Sequence, residues 1–284
     1  MLGHCLVQVC QKYFDTWVSM RSDFARKELL EIYDPQKTYT NLDIVNFQLV
    51  QKAVNEVRPD VIINAVGIVK QSIEAKNPVT SITVNSLFPH RLSELCAEYG
   101  VKLIHISTDC VFTGRKGMYT ENDVPDAEDL YGRSKLLGEV QNGHALTLRT
   151  SFIGNELYTK YGLLEWFIDN KGKQVNGYEN AIFSGLTSQA LSHVLIDIVK
   201  HHRNLQGLYH LSCDPISKSN LLHLINEIYG LGVDIKSDYE VSYDHSLDSS
   251  RYRELTGWVP QPWESMIESM RENSLNYPDR RIVN

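Results

Sequence analysis

Short apolar runs alternate with amphipathic segments along the first half of the chain. The run Val101–Ile106 is mostly aliphatic and β-branched, which is typical of a parallel strand that is buried on both faces. Similar runs lie at 60–67 and 145–151, while the segments at 47–57 and 89–99 have the apolar periodicity of helices. This alternation predicts an α/β fold built on a doubly wound parallel sheet.

Three polar residues follow the run at 101–106 in a spacing that suits carbonyl chemistry. Thr108 stands at the carboxyl end of the predicted strand, where ligands of open α/β sheets bind. Tyr131 and Lys135 lie four positions apart at the start of a predicted helix and therefore share a face. We expect the lysine to lower the pKa of the phenol, so that the group can polarise and protonate a carbonyl oxygen during hydride delivery. Strand alternation places Asp109 on the face opposite Thr108.

These residues resemble the short-chain dehydrogenase/reductase superfamily in its extended branch, and most closely the dTDP-4-dehydrorhamnose reductase family. The family's Ser-Thr-Asp-aromatic-Val-Phe motif is matched at 107–112 and its Tyr-x-x-x-Lys motif at 131–135, with Cys110 in place of the aromatic residue. The resemblance covers nearly the whole chain and implies that Thr108, Tyr131 and Lys135 are catalytic. The alternative is a surface Tyr–Lys pair with a capping threonine.

The resemblance also implies a division into two lobes. Residues 1–151 form the expected Rossmann-type dinucleotide lobe, against which a returning helix at about 186–200 also packs. Residues 152–284 form mainly a smaller α/β substrate lobe, in which the stretch 175–185 is rich in turn-forming residues.

The expected cofactor is NADP, and NAD stays open as an alternative. An arginine after the second strand of such a fold accommodates a 2′-phosphate, and Arg21 and Ser22 follow a plausible strand at 16–20. Small residues at the tip of the run at 60–67 let the backbone pass close to a dinucleotide. The expected cofactor-binding residues are Gly3, Arg21, Ser22, Asp43, Asn64, Ala65, Gly67, Asn85, Tyr131, Lys135 and Ser151.

The amino-terminal segment departs from the family pattern. Met1–His4 resembles the end of a Gly-x-x-Gly-x-x-Gly turn, in which Gly3 would be the last glycine and would allow close helix–strand packing. A strand and two earlier glycines do not precede it in the sequence. We expect either an upstream start or a shortened chain with weakened cofactor binding. The runs 61–63 and 17–19 are the expected edges on either side of that strand.

Substrate contacts come from the resemblance alone, because no residue of the second lobe identifies a sugar. The expected contacts are Thr108, Asp109, Val111, Phe112, Thr187 and Arg251. Thr187 precedes a helix whose free N–H groups suit an anion. The acidic loop at 113–130 is a lid edge, a metal locus or a solvated loop, and the last is favoured; we predict no metal site.

Composition narrows the class of partner. The 284 residues are 42% hydrophobic and 22% charged, which is ordinary for a soluble enzyme. The net charge of −7 gives no basic field for a nucleic acid polymer or an anionic membrane. No apolar run approaches the roughly 20 residues of a membrane span.

Five cysteines without CxxC spacing indicate buried thiols and a cytoplasmic location. A homodimer stays open as an assembly.

The predicted function is NADPH-dependent reduction of a nucleotide-linked 4-keto-6-deoxysugar for surface polysaccharide precursors. One alternative is an epimerase or dehydratase that retains NAD. Arg21 argues against it, and so does the absence of a glutamate near Thr108, since the adjacent Asp109 is expected to face the other way. The other is a non-catalytic, NADP-binding regulatory subunit.

Overall fold

The computed structural model describes residues 1–21, 23, 32–157 and 159–274. Its strands are β1 (Val18–Ser19), β2 (Thr38–Tyr39), β3 (Val61–Asn64), β4 (Lys102–Thr108), β5 (Ala145–Thr150), β6 (Phe152–Ile153), β7 (Gln174–Phe183), β8 (Leu186–Thr187), β9 (Gly207–His210), β10 (Ile216–Ser217) and β11 (Asp234–Asp244). Its helices are α1 (Leu2–Cys10), α2 (Phe47–Val57), α3 (Pro78–Ser81), α4 (Phe88–Tyr99), α5 (Leu130–Leu137), α6 (Leu163–Ile168), α7 (Ser188–His201), α8 (Lys218–Tyr229), α9 (Ser250–Thr256) and α10 (Trp263–Ser274).

The central sheet is parallel and runs in the order β3-β4-β5-β9. Alternate residues of β4 enter different cores: Leu103 packs in a cluster with residues of α2 and α4, and Ile104 in a cluster with residues of α1 and α7. Both side chains are fully buried. Because helices cover both faces, apolar residues are needed at successive positions, which is why the strand could be recognised from sequence. The predicted doubly wound α/β fold is confirmed.

The strands at the amino-terminal side of the molecule form a separate pair. β1 pairs in parallel with β2, and within the described residues β3 pairs only with β4. β1 is shorter than the predicted strand at 16–20, and Trp17 lies outside it with 41% of its surface exposed. The runs 61–63 and 17–19 each have a strand neighbour on one side only within the described residues, as expected for sheet edges.

The carboxyl-terminal part contributes to the central sheet and also builds a sheet of its own. β9 belongs to the central sheet although it lies beyond residue 151, and the returning helix α7 contacts α1, where Ser192 Oγ lies 3.7 Å from Cys5 Sγ. The second sheet has the order β10-β7-β11. The division into two lobes stays a proposal.

The turn-rich prediction for 175–185 is wrong, because β7 extends over most of that stretch. Its asparagines and Gly177 are poor strand formers, but parallel pairing with β11 and antiparallel pairing with β10 hold the backbone extended. A Cβ on Gly177 would lie 2.7 Å from Ser219 Oγ of α8, so the glycine permits close packing of that helix. Tertiary contacts override local propensity here.

Two helix ends agree with the sequence signals. Arg58, which precedes a proline, caps α2 in the left-handed region at φ 49°, and Gly100 caps α4 at φ 67°. No helix in the described ranges combines the length and apolar character that crossing a bilayer requires. All five cysteines lie in the described ranges, and none of them forms a disulfide bond.

Candidate active site

The catalytic candidates meet at the carboxyl end of β4. After Thr108 the chain turns into a short 3₁₀ helix, Asp109–Val111, and the Thr108 hydroxyl accepts a hydrogen bond from the Cys110 amide at 3.1 Å. α5 begins close to this turn, since a Cβ on Gly132 would lie 2.2 Å from the Cys110 carbonyl oxygen. Glycine at 132 therefore lets the helix bring its first turn, with Tyr131, against the end of β4.

The environment of Tyr131 differs from the one expected. Burial raises the pKa of its phenol, the neighbouring Cys110 adds to the rise, and a side-chain hydrogen bond with Thr108 only partly offsets it. The prediction that Lys135 lowers this pKa is wrong, because desolvation outweighs the other effects. The consequence is a phenol that stays protonated at neutral pH and can serve as an acid.

Lys135 is directed at the backbone of β4. Its Nζ donates a hydrogen bond of 2.7 Å to the carbonyl oxygen of Ile106, and only 5% of the residue is exposed. Burial lowers its pKa to about 8, while the carboxylate of Glu139 acts in the opposite direction. The ammonium is thus charged at neutral pH and sits beside the end of β4 that carries Thr108.

Asp109 lies on the same side as Thr108, which corrects the expected orientation. Its Oδ1 accepts a hydrogen bond from Thr108 Oγ1 at 3.2 Å, and its Oδ2 accepts one from Ser151 Oγ at 2.7 Å. The strand ends at Thr108, so the alternation of side chains stops before Asp109. A buried carboxylate therefore joins the site, together with Ser151 at the end of β5.

Asn85 supports the backbone around the site. It lies in a π-helical turn, Ile82–Leu87, a feature that is frequent at functional sites. Its Oδ1 accepts from the Ile68 amide at 2.8 Å, and its Nδ2 donates to the Ile68 carbonyl and to Ser134 Oγ. The buried amide thus joins the loop after β3 to α5. These hydrogen bonds satisfy the polar side chain of an asparagine inside a helix.

The tip of β3 leaves room for a ligand beside Lys135. Asn64 is buried and its Nδ2 lies 3.1 Å from His105 Nδ1, while Ala65 and Gly67 are exposed. A Cβ on Gly67 would meet Asn85 Oδ1 at 3.5 Å and Lys135 Nζ at 4.0 Å, which are ordinary contacts. The protein itself does not require glycine there, so the open space suits the close approach of a dinucleotide.

The other cofactor candidates lie after β1, after β2, on α1 or outside the described residues. Arg21 is exposed and forms an ion pair of 3.5 Å with Glu74, and Ser22 lies outside the described residues. Asp43 Oδ1 accepts from the Val45 amide at 3.0 Å. Gly3 is exposed on α1, and a Cβ there would meet nothing within 4 Å, so its packing role against a preceding strand stays a prediction.

The remaining substrate candidates are engaged with the protein itself. Val111 and Phe112 are buried in a small core, where Phe112 stacks on Tyr119 with ring centroids 4.1 Å apart. The Thr187 hydroxyl oxygen caps α7 by accepting from the Ala190 amide. Arg251 donates to the Leu208 carbonyl at 3.4 Å and lies over the ring of Tyr209. These contacts do not include Thr108, Tyr131 or Lys135.

A buried ion pair that the sequence reasoning missed ties the site to β5. Arg149 donates to both carboxylate oxygens of Glu139, at 2.7 and 2.8 Å, and Ser107 Oγ donates to the same carboxylate at 2.7 Å. The pair fastens the end of α5 to β4 and β5. The available signal was a charged residue, Arg149, inside an otherwise apolar strand.

Acidic side chains of the loop at 113–130 form ion pairs and hydrogen bonds with other residues of the protein. Asp123 pairs with Lys116, Glu128 pairs with Arg115, and Asp126 accepts from Thr113. The N-cap of α5, Asp129, pairs with Lys70 at 2.7 Å. Exposed pairs of this kind are typical of a solvated loop, which supports the favoured alternative.

Comparison with known sequences settles the family. The profile described as RmlD substrate binding domain matches residues 20–228, which is most of the chain. The chain belongs to this family. The matched segment includes Thr108, Tyr131 and Lys135, so the RmlD-family region carries the candidate active site, while Gly3 and Arg251 fall outside it.

Two relatives agree with membership of the RmlD family, and one solved structure shares the fold. A probable low-salt glycan biosynthesis reductase of Haloferax volcanii is 36% identical over 117 residues, 39% of each chain. The chain thus matches well under two thirds of the length of this first relative. A dTDP-4-dehydrorhamnose reductase of Aggregatibacter actinomycetemcomitans is 27% identical over 82% of this chain and 87% of the relative. The crystal structure of a dTDP-4-dehydrorhamnose reductase from Bacillus anthracis, in complex with NADP, superposes with a TM-score of 0.74 at 24% identity, covering 90% of this chain and 98% of that one.

Proposed function

We propose that the chain is an NADPH-dependent reductase of a nucleotide-linked 4-keto-6-deoxysugar that serves surface polysaccharide synthesis. The observation that carries the proposal is the meeting of Thr108, Tyr131 and Lys135 at the carboxyl end of a central parallel strand. The Aggregatibacter relative is a dTDP-4-dehydrorhamnose reductase, which supports the substrate class. The Haloferax relative is a probable glycan biosynthesis reductase, which supports the polysaccharide role.

Tyr131 is the proposed proton donor. Its pKa lies above the ordinary value, so the phenol holds its proton at neutral pH and can pass it to the keto oxygen of the substrate. Thr108 interacts with the phenol, and its hydroxyl, which donates to Asp109 in this structure, can donate to the same keto oxygen instead. A bound nicotinamide supplies the hydride.

Lys135 is the proposed electrostatic partner of the developing oxyanion. Its ammonium is held 2.7 Å from the Ile106 carbonyl, beside the open space at Gly67, and can bind the ribose of a nicotinamide nucleotide from there. Asn85 keeps this space open by fixing the loop after β3. Ser151 donates a 2.7 Å hydrogen bond to Asp109 and so holds its carboxylate beside Thr108.

NADP is the proposed cofactor. The Bacillus neighbour is in complex with NADP. Arg21 follows β1, where a guanidinium can form charge-assisted hydrogen bonds with a 2′-phosphate. Its side chain is exposed and its pairing with Glu74 is long, so it can exchange that carboxylate for a phosphate.

Steady-state NADPH oxidation tests the proposal, with a panel of 4-keto sugar nucleotides and with NADH in parallel. Turnover of a dTDP-linked 4-keto-6-deoxysugar with preference for NADPH supports it. Interconversion of sugar nucleotides without net oxidation of added NADPH indicates the epimerase or dehydratase alternative instead. Binding of NADPH without turnover of any member of the panel indicates the regulatory subunit.

We further propose a cytoplasmic location, where NADPH is available and thiols stay reduced. The five free cysteines are consistent with that compartment. A homodimer stays a prediction, which sedimentation of the purified protein tests.

A further inference from the structure

A thiol, an imidazole and a carboxylate converge next to Thr108. The ligand atoms of Asp109, Cys110 and His245 all lie within 4.8 Å of one another. Asp109 and Cys110 belong to the turn after β4, whereas His245 follows the last strand of the second sheet, β11. This cluster is not needed for the proton transfer proposed above.

The His245 ring is placed by its surroundings. Its amide donates to the Ile182 carbonyl at 3.3 Å, and the preceding residue donates to the carbonyl of Gly114 at 2.7 Å. Gly114 has φ +83°, and a Cβ there would lie 2.7 Å from Nε2 of His245. Glycine at 114 thus allows the ring to lie against the loop after β4. Within the described part of the chain, neither ring nitrogen has a hydrogen-bond partner.

The carboxylate is placed as well. Ser151 and Thr108 donate to its two oxygens, at 2.7 and 3.2 Å, and both oxygens keep lone pairs for a further partner. Hydrogen bonds that orient a ligating carboxylate in this way are typical of metal sites. Cys110 follows Asp109 directly in the turn after β4, at the position where the family pattern has an aromatic residue.

The set of donors selects a particular metal ion. One sulfur, one imidazole nitrogen and one carboxylate oxygen with an open fourth position fit tetrahedral Zn²⁺. Bonds of about 2.0–2.3 Å place tetrahedral ligand atoms roughly 3.5 Å apart. The cluster is therefore within side-chain adjustment of that geometry.

We propose that Asp109, Cys110 and His245 form a Zn²⁺ site beside Thr108, and that the bound ion blocks the reductase. Binding converts the Cys110 thiol to a zinc-bound thiolate and releases its proton to solvent, so no redox step is involved. The ion would lie next to Thr108, in the path of the keto substrate. Inhibition of turnover by the bound ion rests on the proposed function, whereas the binding of Zn²⁺ does not.

The first experiment measures binding alone. Metal-free protein is titrated with Zn²⁺ by calorimetry in buffers of different ionisation enthalpy, and Co²⁺ is used as a spectroscopic probe of sulfur ligation. We expect one equivalent of Zn²⁺, about one proton released, and a thiolate-to-Co²⁺ charge-transfer band. Cys110→Ser and His245→Ala should each weaken binding at least about tenfold and remove the band or distort it.

Matched variants separate the site from general loss of structure. Cys10→Ser changes another buried thiol, and His223→Ala changes an exposed histidine on α8. Both should bind Zn²⁺ like the wild type, and thermal melts identify any variant that fails to fold. Equal Zn²⁺ affinity in wild type and the Cys110→Ser/His245→Ala double variant overturns the site, and so does equal weakening by the control variants.

The second experiment measures turnover with and without Zn²⁺. We expect the ion to raise the apparent KM for the keto substrate in the wild type, and to have at least about tenfold less effect in His245→Ala. Tight binding without loss of turnover overturns the position of the site in the substrate path. Absence of reductase activity in the metal-free protein would contradict the proposed function. It would not affect the Zn²⁺ site, because the titration measures binding without any turnover.

Discussion

Lys135 and Ile106 are joined by a hydrogen bond of 2.7 Å from the ammonium to the backbone carbonyl of β4. The bond fixes the lysine at the strand that ends in Thr108, so its charge stands next to the proposed site of reaction. Burial keeps the pKa of this ammonium near 8. The charge is therefore lost at moderately alkaline pH, which has consequences for both turnover and stability.

The first prediction concerns pH. Turnover should fall as pH rises through about 8, because Lys135 then loses its charge. In unfolding experiments the sign is opposite. The unfolded chain keeps the proton up to the ordinary pKa of 10.5, so it binds more protons than the folded protein above about 8, and stability rises with pH across that window. We expect the free energy of unfolding of wild type minus that of Lys135→Met to rise by about 3 kcal/mol between these values.

Chemical denaturation at a series of pH values measures this difference. Lys52→Met, at an exposed lysine, is the control and should show no such dependence. A difference that stays flat across the window would mean that Lys135 titrates normally in the folded protein.

The second prediction concerns cofactor preference. Arg21→Ala should weaken NADPH binding about tenfold or more and spare NADH, because only NADPH offers a 2′-phosphate to the guanidinium. Glu74→Gln is the matched control: it removes the partner of Arg21 and should leave NADPH binding equal or tighter. Fluorescence titration measures both. Equal losses for the two cofactors would mark Arg21 as an ordinary surface residue.

The third prediction concerns the contact between α5 and the π-helical turn. A Cβ on Gly138 would lie 1.8 Å from the backbone oxygen of Asn85, which cannot move without disturbing that turn. We expect Gly138→Ala to cost about 1–3 kcal/mol of stability and to lower turnover. Gly143→Ala, where the nearest atom is a side-chain oxygen 3.6 Å away, should be neutral by both measures. Equal melting temperatures for the two variants would contradict the close contact.

The fourth prediction concerns a buried histidine. Burial lowers the pKa of His210 to about 4, and the charge of Arg149 acts in the same direction. The unfolded chain takes up this proton near the ordinary 6.5, so stability should fall as pH falls from about 6.5 to about 4. His210→Gln should remove that part of the dependence, whereas His201→Gln, at an exposed site, should keep it. Urea unfolding across this range gives the answer.

The sequence predicted the parts of the molecule whose signals are local. The strand β4 is recognisable because both faces are buried and its residues are apolar in succession. The Tyr131–Lys135 spacing is recognisable because it lies within one helix. Their meeting with Thr108 could be expected because ligands bind at the carboxyl ends of parallel strands.

Other features depend on contacts between distant segments and could not be read from spacing. β7 is held extended by β10 and β11 although its own residues favour turns. Cys110 and His245 come together only because the loop after β11 packs on Gly114. The strand β4 ends at Thr108 and does not continue through Asp109. Strand alternation therefore gave the wrong orientation for the Asp109 side chain.

The pKa of Tyr131 was mispredicted for an energetic reason. Helical spacing correctly placed Lys135 on the same face, but spacing does not reveal how much water the fold excludes. Desolvation of the phenol is the largest effect on its pKa. The Lys135 ammonium donates its hydrogen bond to the Ile106 carbonyl instead.

The central claim is that Tyr131 delivers the proton in reduction of a nucleotide-linked keto sugar. The most direct test is the rate of NADPH oxidation with a dTDP-linked 4-keto-6-deoxysugar, for wild type, Tyr131→Phe and the exposed-site control Tyr161→Phe. We expect Tyr131→Phe to lose turnover by a factor on the order of 10² to 10⁴, while its NADPH affinity and the control's turnover stay at wild-type values. Wild-type turnover in Tyr131→Phe would contradict it.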